Sequence, residues 1–315
     1  MARFVGVSSV SFSTDAGENP EKMKRAMNSW ENYIDTAALD KPDIILLPEI
    51  FMQNTARSAT NEEKAEKADL LPEGGEITQF LSRKAKEHKA YIFASYWRKD
   101  ENGKGRYNSA VLFDRDGKVN GAYDKVFPTI GEMESGTIPG KEAVVFDTDF
   151  GRIGAIICFD LNFHELLADY KAKGAELLCM LSAFRGGFMV PAAAFRYQYF
   201  IATSTPGENS VIMDPLGRTL AESSAYGRVI FAKMNLDSQI VHIDYNQQGV
   251  ADMKKKYQEH VSVEVASPEA VYFVSSLHPN VSVQEMIREF KVETRDDYLN
   301  RARRERLKYL DKANK

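Results

Sequence analysis

Three side chains of different chemistry stand at equivalent places in the sequence. Glu49 follows the apolar run "IILLP", Lys125 follows "VNGAYD", and Cys158 follows "IGAII". Each run reads as a strand, and side chains just past strand ends in α/β sheets emerge from the core into the crevice where ligands bind. A carboxylate, an ammonium and a thiol meeting there would form a nucleophilic site. A thiol attacks once a neighbouring base or cation favours the thiolate. Glu49 could take that proton and later give it to a leaving amine. Lys125 could stabilise the thiolate and the developing oxyanion, together with the backbone N–H of Phe159; losing one such donor costs about 3 kcal/mol of barrier. Each residue alone also has a plainer reading. A cysteine ending an apolar run commonly fills core, a glutamate after a strand commonly sits in a solvated loop, and "YDK" closing a hairpin is commonly surface. Cys179, inside "ELLCML", reads as core filling.

The elements that must position these groups follow from the pattern around them. "FVGVSSVSF" alternates and is rich in β-branched residues, so it reads as a strand; residues 20–38 read as a helix with Pro20 in its first turn. "PDIILLPEI" is a short apolar run between prolines, as a fully buried strand would be. "EITQFLSRKAKEHK" places Ile77, Phe80, Leu81 and Ala85 on one helical face. "AYIFASYW", "YNSAVLFD" and "GKVNGAYD" read as strands, the last two joined by the hairpin signal "DRDGK". "AVVFDTDFGRIGAIICF" continues the pattern with a turn at Asp149–Gly151, and a helix over about 163–173 precedes the strand "AELLCML". A second helix over about 191–200 precedes "YFIATSTP", "NSVIMDPLGRTLAES" and "GRVIFAKMNL". Helices and strands alternate without linker or repeat, so residues 1–245 read as one layered α/β domain. Residues 246–315 are highly charged and end in "RDDYLNRARRERLKYLDK". They read as a helical C-terminal extension with too little apolar surface for its own core, expected to pack on the domain or on a partner subunit.

Composition narrows the classes. The chain has 315 residues, 43% hydrophobic and 27% charged, with a formal net charge of −4. That balance argues against nucleic-acid or anionic-membrane binding, which need concentrated Lys and Arg. Two cysteines make no disulfide framework. "MARFVGVSSVSF" lacks the basic start and unbroken apolar run of a secretory signal, and no stretch approaches the roughly 18 apolar residues of a membrane span. A cytoplasmic, reducing setting is expected. The five histidines, His88, His164, His242, His260 and His278, show no metal-ligand spacing, so neither metal nor organic cofactor is expected.

Taken together and in order, "LLPEIF", "YDKVFPTIGEMESGTIPG" and "GRIGAIICFDLNFHEL" resemble the nitrilase, or carbon–nitrogen hydrolase, superfamily. "YNSAVLFDRDG" and "MDPLGRTLAES" are similar to its recurrent segments, and the resemblance spans about residues 4–245. It implies an α/β fold, the four-layer α–β–β–α sandwich of the nitrilase type. It also implies a triad in which Glu49 is the general base, Lys125 the lysine and Cys158 the nucleophile, working through a thioester. A second glutamate follows the lysine in such enzymes, and of Glu132 and Glu134 the family spacing favours Glu132. Dimers or higher even-numbered homo-oligomers are common among them.

Departures from the pattern shape the substrate expectation. Nitrile-hydrolysing members usually carry Cys-Trp-Glu at the nucleophile, whereas this chain has Cys158, Phe159 and Asp160. A small linear amide or N-carbamoyl amine is therefore expected over a nitrile. "AAAFRYQYFIATST" fits poorly where relatives often show an Arg-Ala-x-Glu-Asn run, and His164, where proline is common, reads as a surface or packing residue. "SAFRGGF" should follow a strand end near Cys158, so Phe159, Phe184 and Arg185 are candidate substrate contacts. Arg185 could pair with a substrate carboxylate, or equally be solvated or make a structural ion pair. Acyl transfer to an amine through the same thioester is an alternative. A non-catalytic binding protein on the same fold would predict a damaged triad, and all three residues are present.

Overall fold

The computed structural model describes residues 1–14, 20–53, 60–72, 74–100 and 105–313. Apolar and β-branched runs become strands, and amphipathic runs become the helices between them. In chain order these are β1 (Phe4–Val10), α1 (Pro20–Ala38), β2 (Ile44–Leu46), α2 (Asn61–Glu66), α3 (Glu76–His88), β3 (Tyr91–Lys99), β4 (Arg106–Phe113), β5 (Val119–Asp124) and α4 (Ile130–Glu134). Then follow β6 (Val145–Asp147), β7 (Arg152–Ile157), α5 (His164–Ala172), β8 (Leu177–Leu181), α6 (Met189–Tyr197), β9 (Phe200–Ser204), β10 (Val211–Met213), β11 (Thr219–Glu222) and β12 (Val229–Asn235). The last elements are β13 (Ser238–His242), α7 (Gln247–Tyr257), β14 (Val261–Ala266), β15 (Val271–Ser276), α8 (Val283–Glu289) and α9 (Arg295–Ala313).

Residues 5–234 form one compact unit built on two six-stranded sheets. The first runs β12-β1-β2-β3-β4-β5 and the second β11-β10-β9-β8-β7-β6. Their inner faces meet: Ser9 Oγ donates to the Thr203 carbonyl at 2.7 Å, Ser204 Oγ to the Val10 carbonyl at 2.8 Å, and the Phe93 and Phe146 rings pack edge to face. On the outside of the first sheet, α1 and α3 bury Trp30, Ile34, Ile77, Phe80, Leu81 and Ala85 against Ile45, Ile92 and Val111. On the second, α5 presses Tyr170 so closely over Gly154 that a β-carbon there would lie 2.5 Å from the ring. The four layers expected from the sequence are thus present.

One helix differs from its expected span. α6 ends at Tyr197, because Gln198 turns into the left-handed region (φ +58°) and the β-favouring run Phe200–Ser204 takes over as β9.

Residues 1–4 and 235–315 form a second compact unit. The boundary falls at Asn235 where the sequence reading placed it at 245, and this part is not wholly helical. β14 and β15 make a hairpin that joins β13 in a three-stranded antiparallel sheet. "VSVEVA" alternates with period two and "VYFVSS" is a run of β-favouring Val, Tyr and Phe, signals that the surrounding charge masks. Nor does it lack a core: Val241, Val250, Met253, Val261, Val274, Val283 and Met286 cluster beneath α7 and α8. α9 buries none of its residues.

Candidate active site

The three strand ends named by the sequence converge. β2 is three residues long, fully buried and parallel to both neighbours, so the chain leaving it at Leu47 and Pro48 delivers Glu49 at the sheet's carboxyl edge. Lys125 is the first residue after β5, held by its own N–H to the Asn108 carbonyl at 2.8 Å. Cys158 is the first residue after β7, where the chain turns into a short 3-10 helix over Cys158–Asn162.

The Lys125 ammonium, 1% exposed, bridges two carboxylates, at 2.9 Å from Glu49 Oε1 and 2.8 Å from Glu132 Oε2. Asn108 Nδ2 donates to the same two groups, at 2.8 Å to Glu49 Oε1 and 3.1 Å to Glu132 Oε1, while its Oδ1 accepts from Ser95 Oγ at 2.9 Å. The Ala183 N–H donates to Glu49 Oε2 at 2.9 Å, so that carboxylate has a donor at each oxygen. Glu132 is positioned by the local sequence "TIGE". Its Oε2 accepts the Thr129 N–H at 2.8 Å and the Thr129 hydroxyl accepts the Glu132 N–H at 3.2 Å, a capping box at the start of α4. Glu134, on the same helix, is exposed.

The electrostatics follow from burial opposed by pairing. Burial works against the charge of Lys125, but the Glu49 and Glu132 carboxylates and Cys158 outweigh it and raise its pKa. Burial likewise pushes Glu132 up, and the charge and hydrogen bond of Lys125, with the Thr129 and Asn108 donors, more than offset it, leaving Glu132 below its ordinary value. The Cys158 thiol is within hydrogen-bonding reach of Glu49 and Ser182; burial first, and the Glu49 charge second, push it up to about 11 against the opposing pull of Lys125. The thiol is therefore protonated at rest, with a carboxylate beside it able to take the proton.

Cys158 adopts φ +50°, in the left-handed region that a non-glycine residue enters at a cost of roughly 1–2 kcal/mol. Asp160 holds it there. Its Oδ2 accepts the Ile157 N–H at 2.9 Å and the Tyr123 hydroxyl at 2.7 Å, and its Oδ1 accepts the Phe127 N–H at 2.9 Å. One fully buried carboxyl thus ties the cysteine turn to the segment that carries Lys125. Burial raises Asp160 to about 6 despite those three donors.

Glu49, Lys125, Glu132 and Cys158 all line one cavity of about 800 Å³, walled also by Phe12, Phe51, Trp97 and Pro206. Volumes of roughly 300–1,000 Å³ are usual for small-molecule sites. The other sequence candidates lie elsewhere. Phe159, Phe184 and Arg185 do not line this cavity. Phe159 packs edge to face on Phe163, the Phe184 carbonyl accepts from Ser182 Oγ at 2.6 Å, and Arg185 pairs with Glu208 at 3.1 Å. The stretch "SAFRGGF" does reach the site, but through the Ala183 backbone N–H, which no side-chain pattern reveals. Asn108 and Asp160 were likewise not singled out for these positions; the one available signal was polarity inside runs that otherwise read as core. His164 sits exposed at the start of α5 beside the Tyr197 hydroxyl. Among the described residues, Asp35, Glu87 and His88 cluster at metal-ligand spacing, but the Lys84 ammonium already pairs with Asp35 and lies 2.8 Å from Glu87.

The carbon–nitrogen hydrolase family model matches residues 13–240. The chain is 28% identical over 262 residues to the omega-amidase NIT2 of Homo sapiens, covering 75% of this chain and 91% of that protein. It is 31% identical over 235 residues to omega-amidase NIT2-A of Xenopus laevis, covering 67% and 83%. Among solved structures it superposes on Saccharomyces cerevisiae Nit3, a member of branch 10 of the nitrilase superfamily, with a TM-score of 0.64 at 22% identity over 81% of this chain and 95% of that one. An amidase from Nesterenkonia sp. gives 0.62 at 18% identity, covering 80% and 96%.

Proposed function

The chain belongs to the carbon–nitrogen hydrolase family, a cysteine-dependent class acting on non-peptide C–N bonds, and from that premise we propose that it hydrolyses a small linear amide of the omega-amide kind. Glu49 takes the proton of the Cys158 thiol as Sγ attacks the carbonyl carbon. The Lys125 ammonium and the Phe159 N–H receive the negative charge on oxygen. As the tetrahedral species collapses the C–N bond breaks, Glu49 returns the proton to nitrogen, and ammonia leaves a thioester behind. Water then attacks the thioester, giving its proton to Glu49. The C–S bond breaks, the proton returns to sulfur, and the acid is released. Glu132 fixes the position of Lys125 throughout, and no step calls on a cofactor.

The observation that carries this reading is the Lys125 ammonium clamped between two carboxylates, at 2.9 and 2.8 Å, in the same cavity as a thiol that burial keeps protonated. Such a thiol needs a base, and Glu49 is within its reach. Cys158-Phe159-Asp160 in place of the Cys-Trp-Glu of nitrile hydrolases, and omega-amidases among the relatives, favour amide over nitrile. N-carbamoyl amines present the same carbonyl to the same sulfur. The working form is an even-numbered homo-oligomer, most simply a homodimer, in a reducing, cytoplasmic setting that keeps both cysteines free. Ammonia release from a panel of linear amides, N-carbamoyl amines and nitriles tests the function. Release from amides that vanishes in Cys158→Ala supports it; hydrolysis that survives in Cys158→Ala ends it.

A further inference from the structure

The sequence offered Arg185 as a receptor for a substrate carboxylate, and the structure gives Arg185 to Glu208. A different cation lines the cavity. Lys64, on α2, is half-buried, and among the described residues its ammonium meets no carboxylate and no hydrogen-bond acceptor. Described acids of this region are committed elsewhere: Glu49 and Glu132 to Lys125 and Asn108, and Glu63 to the Thr60 N–H at 2.7 Å in the capping box that starts α2. α2 is also fixed against the cavity wall. Gln53 Nε2 donates to the Lys67 carbonyl at the end of that helix while its Oε1 accepts the Trp97 N–H, and the Asp69 N–H donates to the Trp97 carbonyl at 2.8 Å.

A second cation stands at the same wall. Arg106, 2% exposed, stacks its guanidinium over the Trp97 ring at 5.1 Å and donates to the Ser135 carbonyl at 2.5 Å; both partners line the cavity. It has no carboxylate partner among the described residues, its Nε is unpaired, and burial pulls its pKa down. A β-carbon on Gly136 would lie 3.6 Å from Arg106 Nη1 and 3.7 Å from the Asn61 amide, so the guanidinium and the first residue of α2 approach one point. An anion bound on this wall would meet Lys64 directly, with the Arg106 charge behind Trp97 and Ser135 adding to the positive potential of the wall.

We propose that Lys64 is a specificity-determining residue that receives an anionic group, a carboxylate, carried by the substrate away from its scissile amide. The proposal rests on the amide-hydrolase reading above. With no competing carboxylate to displace among the described residues, the ammonium offers a charge-assisted hydrogen bond in a partly desolvated cavity, and such a bond discriminates by about tenfold or more.

The test compares kcat/KM for succinamate, which carries the carboxylate, with that for butyramide, its neutral counterpart, by ammonia release. We expect the wild-type enzyme to prefer succinamate. In Lys64→Met the succinamate-to-butyramide ratio falls about tenfold, mainly through KM for succinamate. Lys64→Arg keeps the ratio within about threefold of wild type, because the charge remains, and Lys64→Glu lowers it further than Lys64→Met. A ratio unchanged in both Lys64→Met and Lys64→Glu overturns the assignment. If the wild type hydrolyses butyramide at least as well as succinamate, the hydrolase reading stands and this inference falls. If it releases ammonia from neither, nor from any other amide, the hydrolase reading falls and takes the inference with it.

Discussion

Glu49→Gln separates two accounts of how the thiol is activated. The substitution keeps the side chain's size and one carbonyl oxygen, which can still accept from Lys125 and Asn108, but removes the negative charge and the base. In the wild type the Cys158 thiol stands at about 11, raised by burial first and by the Glu49 charge second, with Lys125 opposing. A thiol at about 11 is ionised in only roughly 3 of 10,000 molecules at pH 7.5. Deleting the Glu49 charge removes one upward contribution and leaves the pull of Lys125, so the thiol of the variant ionises at lower pH and its thiolate becomes more abundant. If thiolate abundance set the rate, the variant would be faster. If proton transfer through Glu49 sets it, the variant loses general-base and general-acid assistance, worth about 10²–10⁴-fold. The assay is paired: iodoacetamide alkylation of Cys158 and ammonia release, each followed from pH 6 to 9. Cys179 serves as the internal control, since it is fully buried and burial raises its thiol still further. The expected result is faster alkylation at pH 7.5 together with turnover lowered by about 10³. Turnover within about threefold of wild type, or rising in step with alkylation, would refute the assignment of Glu49 as base and reduce it to a counter-ion of Lys125.

Two further substitutions probe the groups around the nucleophile. Lys125→Met leaves Glu49 and Glu132 facing each other around Asn108 without their shared cation; removing one partner of such a buried set costs about 3–5 kcal/mol. One carboxyl then holds a proton more tightly in the folded state than in the unfolded chain. The stability it contributes is present at low pH and lost as pH rises, so the urea-unfolding penalty is larger at pH 7.5 than at pH 5, and equal penalties would count against the repulsion argument. Asp160→Asn replaces an acceptor of three hydrogen bonds by a group whose amide nitrogen cannot accept, stranding at least one buried donor at a cost of about 1–3 kcal/mol. The folded pKa of Asp160 is raised from 3.8 to about 6, so its protonation favours the fold fully below about pH 4, and that contribution fades through pH 6, a swing of about 3 kcal/mol. The stability gap between wild type and Asp160→Asn should therefore narrow from pH 4.5 to pH 7.5, and a gap independent of pH would show Asp160 to have an ordinary carboxyl pKa.

What the sequence made legible and what it hid divide along a physical line. Strand ends are marked by where apolar runs stop, so Glu49, Lys125 and Cys158 could each be placed just past a strand from pattern alone, while the meeting of β2 and β5 in one sheet with β7 in the other is visible only in the fold. Glu132 was favoured over Glu134 only by the spacing that the family resemblance implies; that "TIGE" forms a capping box, turning this glutamate back toward the chain preceding the helix where Lys125 lies, is visible only in the structure. Backbone donors carry no residue-type signal. In the loop after β8 the residue types point to the side chains of Phe184 and Arg185, whereas its contribution to Glu49 is the Ala183 N–H. Asn108 and Asp160 escaped for a related reason: each lies within an apolar stretch, and only the register of β4 against β5, and of the cysteine turn against Tyr123 and Phe127, shows that their polar atoms are spent on positioning other groups. The hairpin of β14 and β15 is hidden in a highly charged region, because the alternation of "VSVEVA" and the β-favouring run "VYFVSS" each extend over only six residues. Asn108, Asp160 and the Ala183 N–H thus have roles set by partners distant in sequence. Lys64 is of the same kind: nothing beside it in the sequence announces a site, and only the absence of a partner among the described residues, in a cavity where Glu49 and Glu132 are already paired, gives its charge a use.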